Sequence, residues 1–252
     1  MMKKYLPYAN YLAAAAGVTA GLLHKWALAA GTDSKGLYPI AHPGWIGYLL
    51  IVAAVTAAIF YLTRSCGQHP GWAGNFSGGL LPILGYAAAA CGILVCSLPL
   101  LQGARLSLIC GVVGLCSAGV LLVLSLQLYQ KKTPFTIALL IPCLFFALQL
   151  VLLGKQYGTE TQLMRYLPQF LAFATSCLAC YEQIGFGVEA GSRKKSLFWS
   201  LSAAALCFAA MSSQWIFAAL GLWHLLGHCS LAEPPAVPIE EEPTKEPEET
   251  DL

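Results

Sequence analysis

Seven long apolar runs constrain the fold of this chain more than any other feature of its sequence. The hydrocarbon core of a bilayer is about 30 Å thick, and a helix needs about 20 predominantly apolar residues to cross it. Runs of about this length lie at approximately 5–23, 45–63, 80–101, 106–129, 135–154, 164–187 and 196–226. We therefore expect an all-α fold, a polytopic transmembrane helix bundle of about seven spans.

The composition excludes a soluble domain of this size. Charged residues make up only 10% of the chain and hydrophobic residues 58%, whereas soluble domains contain roughly 25% charged residues. Because so few polar groups cannot cover a soluble surface, the excess apolar surface must face lipid. The cations lie at the ends of the apolar runs, where headgroups and topology account for them. We expect the lipid bilayer as a partner and no nucleic acid.

Charge divides the chain into a basic body and an acidic tail. Residues 1–232 contain 13 Lys/Arg and 4 acidic residues, a net charge of +9, while residues 233–252 contain one Lys and 8 acidic residues, a net charge of −7. The tail is rich in proline and has too few large apolar side chains to offset the entropy of ordering. We predict a helix bundle over residues 1–230 and a disordered Pro/Glu-rich tail over 231–252, either a docking segment or a solvated terminus.

The positive charges predict the orientation of the bundle. With seven spans, eight Lys/Arg lie on one side of the membrane and five on the other, not counting Lys245 in the tail. Because the more positive side is usually cytoplasmic, we expect a cytoplasmic N-terminus in the cell membrane of a bacterium. A cleaved signal peptide ending near Ala27-Leu28-Ala29 is the alternative interpretation of the first run.

The last apolar run decides the number of spans. Leu197 to His228 is 32 residues, or about 48 Å as one helix. A break at Ser212-Ser213-Gln214 leaves two pieces that are each too short to cross. We predict one long, tilted or protruding helix, with a re-entrant hairpin as the alternative. Seven spans place the acidic tail outside the cell, and six or eight place it inside.

Small and polar residues follow one face of several spans. In lipid, helices associate through close packing and interhelical hydrogen bonds, so these faces should lie inside the bundle or bind a protein partner. The fifth span contains no glycine from Phe135 to Leu153 and should be the most lipid-exposed. The predicted inward faces are Asn10, Ala14, Gly17, Gly21 and His24 in the first span, Ser107, Gly111, Gly114, Ala118 and Ser125 in the fourth, and Gln169, Ser176, Cys180, Gln183 and Gly187 in the sixth.

Polar residues inside the spans form the candidate site, because such groups are costly in hydrocarbon and usually functional. Glu182 is the strongest candidate. It either binds a proton or cation within the membrane or reaches the interface and pairs with the basic cluster at residues 193–195. The full candidate set is Glu182, Gln183, Gln169, Asn10 and His24. We expect no metal and no cofactor.

Three other patterns have simpler interpretations. The pattern H-P-G-W-x-G occurs at 42–47 and 69–74 and is typical of a Pro-Gly turn beside an interfacial tryptophan. His224, next to Trp223, is interpreted as an interfacial histidine. The Cys-x-x-Cys pair at 177–180 lies in an apolar helix and is interpreted as packing.

Function is only coarsely constrained. Small-residue faces and Glu182 favour a small-solute transporter or a membrane subunit of a transport system. A non-catalytic sensor or assembly subunit that docks a partner through its acidic tail is the alternative. A membrane-embedded enzyme ranks third, and we expect no catalytic activity, because the sequence lacks a convergent His, Glu or Asp cluster.

Overall fold

The described part of the chain is entirely helical in its regular structure. A computed structural model describes residues 6–31, 42–64, 66, 79–157 and 163–228. Short 3₁₀ turns, Thr136–Leu139 and Gly185–Val188, precede the fifth helix and follow the sixth. The helices are α1 (Leu6–Ala29), α2 (Pro43–Thr63), α3 (Leu80–Leu100), α4 (Arg105–Tyr129), α5 (Leu140–Tyr157), α6 (Leu163–Ile184), α7 (Arg193–Ala210) and α8 (Ile216–His228). The predicted all-α membrane bundle is confirmed.

Six helices, α1 to α6, are long and apolar enough to cross a membrane. Their observed bounds differ from the predicted ones by a few residues, and the largest difference is at α1, which continues to Ala29. A chain with six such helices is a multi-pass membrane protein. We call the end of the bundle that holds the start of α1 the near end, and the opposite end the far end.

Residue contacts give the directions of the inner helices. Gly17 of α1 lies against Ala205 of α7, and one turn later Gly21 lies against Ala209, so α1 and α7 run parallel. On the other side, α3 and α8 run antiparallel, because Gly85 lies against Trp223 and Gly92 against Ala219. Helix α7 also packs on α2, α6 and α8, and most of its residues are buried, which makes it the central helix of the bundle.

Glycine is required where α1 meets α7. A Cβ atom on Gly21 would come within 2.8 Å of the carbonyl oxygen of Ala209, and one on Gly17 would overlap the carbonyl oxygen of Ala205. These neighbours are backbone atoms, so they cannot rotate away. The two glycines therefore let the helices approach as in other small-residue membrane interfaces. The predicted inward face of α1 is confirmed.

The predicted inward face of α4 is also confirmed. Gly114 packs against Ser97 of α3 and Phe145 of α5, so three helices meet at this glycine. Ala118 is buried, and Ser125 donates a hydrogen bond to the backbone carbonyl of Ile83 on α3 over 3.0 Å. Polar and small residues on this face thus hold α4 to its neighbours, as expected for helices that gain little from hydrophobic burial in lipid.

The prediction of one long final helix was wrong. The last run divides into α7 and α8, joined by a turn over 211–215. In this turn the N–H of Ser213 donates to the carbonyl of Ala210 over 2.9 Å, and the N–H of Phe217 donates to Gln214 over 3.2 Å. Serine side chains compete with helical backbone bonds, and breaking the helix here allows both halves to pack within the bundle. We call α7, the turn and α8 the hairpin.

The hairpin does not reach the far end of the bundle. Ala209, near its tip, is level with Gly21, which is eight residues before the end of α1 at Ala29. Gly92 is level with Ile216 and lies eight residues before the end of α3 at Leu100. Eight helical residues correspond to about 12 Å. The hairpin therefore starts and ends at the near end and turns inside the bundle.

The prediction that the fifth helix is the most lipid-exposed was also wrong. Phe145 and Phe146 of α5 are fully buried. The ring of Phe146 packs against Phe173 of α6 and Trp223 of α8 at centroid distances of 6.1 and 6.4 Å. Only 22% of the spanning stretch of α2 is buried, against 33% for α5. A helix without glycine can still face the core when aromatic rings fill the space.

Candidate functional site

The tip of the hairpin is the most unusual polar element of the bundle. Ser212, Ser213 and Gln214 are exposed, and Trp215 beside them is 54% exposed. Non-helical backbone at membrane depth is tolerated where it is buried in protein or lines a water-filled cavity, because lipid cannot satisfy its N–H and C=O groups. Since this turn is exposed within the depth spanned by α1 and α3, its position favours an aqueous opening from the far end.

Helix α7 carries buried hydroxyl groups below this tip. Ser196, Ser200 and Ser202 are buried, and their hydroxyl oxygens have no hydrogen-bond partner. Buried polar groups are normally bonded to protein or ordered water. Ser202 lines a cavity of about 10 Å³ between α1, α2 and α7, together with Gly17 and Thr56. This volume is close to that needed for one water molecule, so the cavity is a hydration site and not a solute site.

A buried polar cluster joins α6, α7 and α8. Nε2 of His224 lies 3.0 Å from Oγ of Ser176, and the same Oγ lies 3.6 Å from Sγ of Cys207. All three residues are fully buried. The interpretation of His224 as an interfacial histidine was wrong, since Trp223 and His224 both lie inside the bundle. A serine hydroxyl donates to a neutral imidazole or accepts from a protonated one, so this pair tolerates both states.

A second contact ties α3 to α6. The hydroxyl of Tyr86 donates to Oε1 of Gln183 over 3.2 Å, and both side chains are buried. The ring of Tyr86 also packs on Trp223, with centroids 5.6 Å apart. Gln183 and Ser176 lie seven residues apart on one face of α6, so the two polar contacts follow the same side of that helix.

An aromatic cluster lies between α1 and α2 toward the far end. The ring of His24 is fully buried, 4.8 Å from the ring of Trp45 and 5.6 Å from that of Tyr48 between centroids. The indole Nε1 of Trp45 and the hydroxyl of Tyr48 are buried without a hydrogen-bond partner. Ala209 belongs to the same packed group. This cluster therefore adjoins the hairpin tip and offers two unused hydrogen-bond donors.

The first H-P-G-W-x-G copy begins α2. Nδ1 of His42 accepts a hydrogen bond from the N–H of Gly44 over 3.1 Å, and Pro43 is the first helical residue. A side-chain acceptor at the N-cap and a proline after it are both favoured by helix geometry. Trp45 is buried against His24, so the expectation of an interfacial tryptophan was wrong for this copy. The second copy, at 69–74, lies outside the described residues.

The five predicted site residues lie at two levels. Asn10 and His24 are fourteen residues apart on α1, and Gln169 and Gln183 are fourteen apart on α6, which corresponds to about 21 Å in each helix. His24 and Gln169 are buried toward the far end, whereas Asn10 and Gln183 lie toward the near end. The five residues therefore do not form one site.

Glu182 lies apart from the buried polar clusters. It is half-buried, two residues before the end of α6, while its neighbour Gln183 points to the core. The ammonium of Lys195 is near enough to act on its carboxyl electrostatically. This is the near-end surface, where the basic residues that begin α7 also lie.

Sequence reasoning missed two of these clusters. Trp45 and Tyr48 gave no separate signal, because aromatic residues near helix ends usually face the lipid interface. The contact between Ser176 and His224 joins residues 48 positions apart. No protein-family model, no curated protein and no solved structure matches the chain.

Proposed function

We propose that this protein is a small-solute transporter or the membrane subunit of a transport system, with the hairpin lining the solute pathway. The observation that carries this proposal is the exposed tip at 212–214, level with the interior of α1 and α3. Interrupted helices with their ends inside the membrane are a recurring way to build a solute site near the midplane.

The groups around the tip support the same function. Trp45 and Tyr48 offer two buried donors on the α1–α2 side. Ser176 and His224 supply polar groups on the α6–α8 side. A solute entering from the far end would meet the tip first and find hydrogen-bonding groups on both sides of the hairpin. Helix α8 also begins at the tip, so its N-terminal N–H groups and positive dipole end lie there.

The packing around the hairpin supports movement of this element. Against α1 and α3 it meets the glycine faces at Gly17, Gly21, Gly85 and Gly92. Such faces hold helices by close contact and have no long interlocking side chains. Transport requires alternating exposure of a site, which small rigid-body shifts of one helix group against another provide.

The experiment is solid-supported-membrane electrophysiology on proteoliposomes, with a panel of amino acids, carboxylates, nucleobases and sugar phosphates. We expect a saturable current for one solute class. Ser213→Trp, which fills the opening from an exposed position, should lower that current at least ten-fold. The matched control is Leu126→Trp on α4, because Leu126 is 58% exposed and away from the tip.

Two results would contradict the proposal. One is a folded protein that gives no current with any member of the panel. The other is a current that falls equally in Ser213→Trp and Leu126→Trp, since it would not depend on the hairpin. The alternative of an assembly subunit rests on the acidic tail, which lies outside the described residues, and stays a prediction.

A further inference from the structure

Two cysteines face each other across α5 and α6. Sγ of Cys143 lies 3.4 Å from Sγ of Cys177. Each sulfur also lies 3.6 Å from the backbone carbonyl oxygen of the other residue. This reciprocal contact places the two residues directly opposite each other on adjacent helices. Both are free thiols.

The separation is suited to a bond between the two sulfurs. Disulfide sulfurs are about 2.05 Å apart, so the two thiols need to approach by about 1.4 Å. Rotation of two cysteine side chains supplies such a change, because each has one rotatable bond between Cα and sulfur. The backbones of α5 and α6 are already adjacent. Closing this bond therefore requires side-chain movement and no rearrangement of the helices.

This geometry changes the interpretation of the Cys-x-x-Cys motif at 177–180. The thiol of Cys180 is fully buried, whereas Cys143 and Cys177 are only half-buried. The sulfur that Cys177 touches belongs to α5 and not to its own helix. Among the residues that the structure describes, no group of three His, Cys, Asp or Glu residues could hold a metal ion. The motif is therefore one half of a dithiol between helices.

The pair is reached from lipid and not from water. Cys143 is three residues from the start of α5 and Cys177 seven residues from the end of α6, which places both about 5 to 10 Å inside the helix ends. Leu144 and Tyr181, next to them in the near-end half of these helices, are exposed on the outer surface of the bundle. A reagent that meets these thiols must dissolve in the bilayer. Among two-electron oxidants, quinones have this property.

We propose that Cys143 and Cys177 are a redox-active dithiol that a lipid-soluble quinone oxidises to a disulfide. In this reaction both S–H bonds break and one S–S bond forms. The two electrons and two protons pass to the quinone, which becomes a quinol. A dithiol reductant reverses the change by thiol–disulfide exchange. The disulfide links α5 to α6 and fixes their relative position.

The test uses the full-length protein in proteoliposomes with decylubiquinone as the oxidant. After exposure, the protein is denatured, alkylated with N-ethylmaleimide and weighed by intact mass spectrometry. The reduced chain has ten cysteines to label. We expect the oxidised chain to take up two labels fewer, to yield a linked peptide pair containing Cys143 and Cys177, and to release one quinol per disulfide. Dithiothreitol should restore all ten labels.

Single substitutions distinguish this pair from other cysteines. Cys143→Ser and Cys177→Ser should each abolish the loss of two labels, whereas Cys180→Ser and Cys91→Ser should retain it. Serine replaces sulfur with a similar shape, and size-exclusion chromatography of each variant verifies folding. Full labelling of the quinone-treated wild type would overturn the proposal. A linkage between Cys177 and Cys180, retained in Cys143→Ser, would overturn it as well.

Discussion

Replacing Gly17 by valine will lower the free energy of unfolding by about 1 to 3 kcal/mol, the usual cost of forcing extra atoms into a packed core. The new side chain would overlap the carbonyl oxygen of Ala205 and come within 2.9 Å of Cβ of Phe208. Because the first neighbour is backbone, relief requires α1 and α7 to separate. Separation also removes the contact at Gly21, so the whole α1–α7 interface should weaken.

The control for this substitution is Gly119→Val on α4. Gly119 is exposed, and no atom lies within 4 Å of the position that its Cβ would occupy. Both variants place valine in a helix and so share its small cost in side-chain entropy. Thermal denaturation in detergent, followed by fluorescence-detected size exclusion, should show a clear loss for Gly17→Val and little change for Gly119→Val. Equal melting temperatures for the two variants would contradict the packing described here.

Replacing Phe146 by alanine should cost still more, about 2 to 4 kcal/mol. Burial of Phe146 is complete, and its ring contacts Phe145, Phe173 and Trp223. In soluble proteins Phe→Ala costs about 3 to 5 kcal/mol through lost transfer energy and the remaining cavity. In a bilayer the transfer part is smaller, since the unfolded helix stays in lipid. The lost contacts across the cavity remain, and three helices share them.

Phe135→Ala provides the comparison for Phe146→Ala. Phe135 precedes α5 and is 60% exposed, so its ring contributes little packing. Unfolding by sodium dodecyl sulfate in mixed micelles, monitored by circular dichroism, gives the free energy for each variant. The account predicts a much lower midpoint for Phe146→Ala than for Phe135→Ala. Similar midpoints would mean that α5 faces lipid, as the sequence alone had indicated.

Much of the bundle could be predicted from sequence because the membrane imposes a length on each span. Helices α1 to α6 follow from apolar runs near 20 residues. The inward faces of α1 and α4 follow from Gly17, Gly21 and Gly114, since only small residues permit the close approach that these helices make. Phe146 shows the limit of this reasoning. A phenylalanine in a spanning helix suits lipid and an aromatic core equally well.

The hairpin could not be derived with the same security. Hydropathy across Leu197 to His228 is interrupted only by a few polar residues, which a long helix also tolerates. What decides the break is long-range packing, in which α7 meets α1 while α8 meets α3. A pairing between helices that are far apart in sequence leaves no periodic signal within the run itself.

The candidate site was predicted in part. His24, Gln169 and Gln183 were expected to face inward, and all three are buried. Their partners were not predicted, because contacts such as Tyr86 with Gln183 depend on the relative rotation and depth of two helices. A polar residue in a span predicts that a partner exists, but only the packed bundle identifies it.

The most direct test of the re-entrant hairpin is sided labelling of a cysteine at its tip. In sealed vesicles of known orientation, Ser213→Cys should react with a membrane-impermeant maleimide from the far face, like Lys25→Cys and unlike Lys195→Cys, with the unsubstituted chain as the blank. Lys25 and Lys195 are exposed at opposite ends of the bundle. A single continuous helix would bury position 213 within the bilayer. A Ser213→Cys variant that is unreactive from both faces, or reactive only from the near face, would contradict the hairpin.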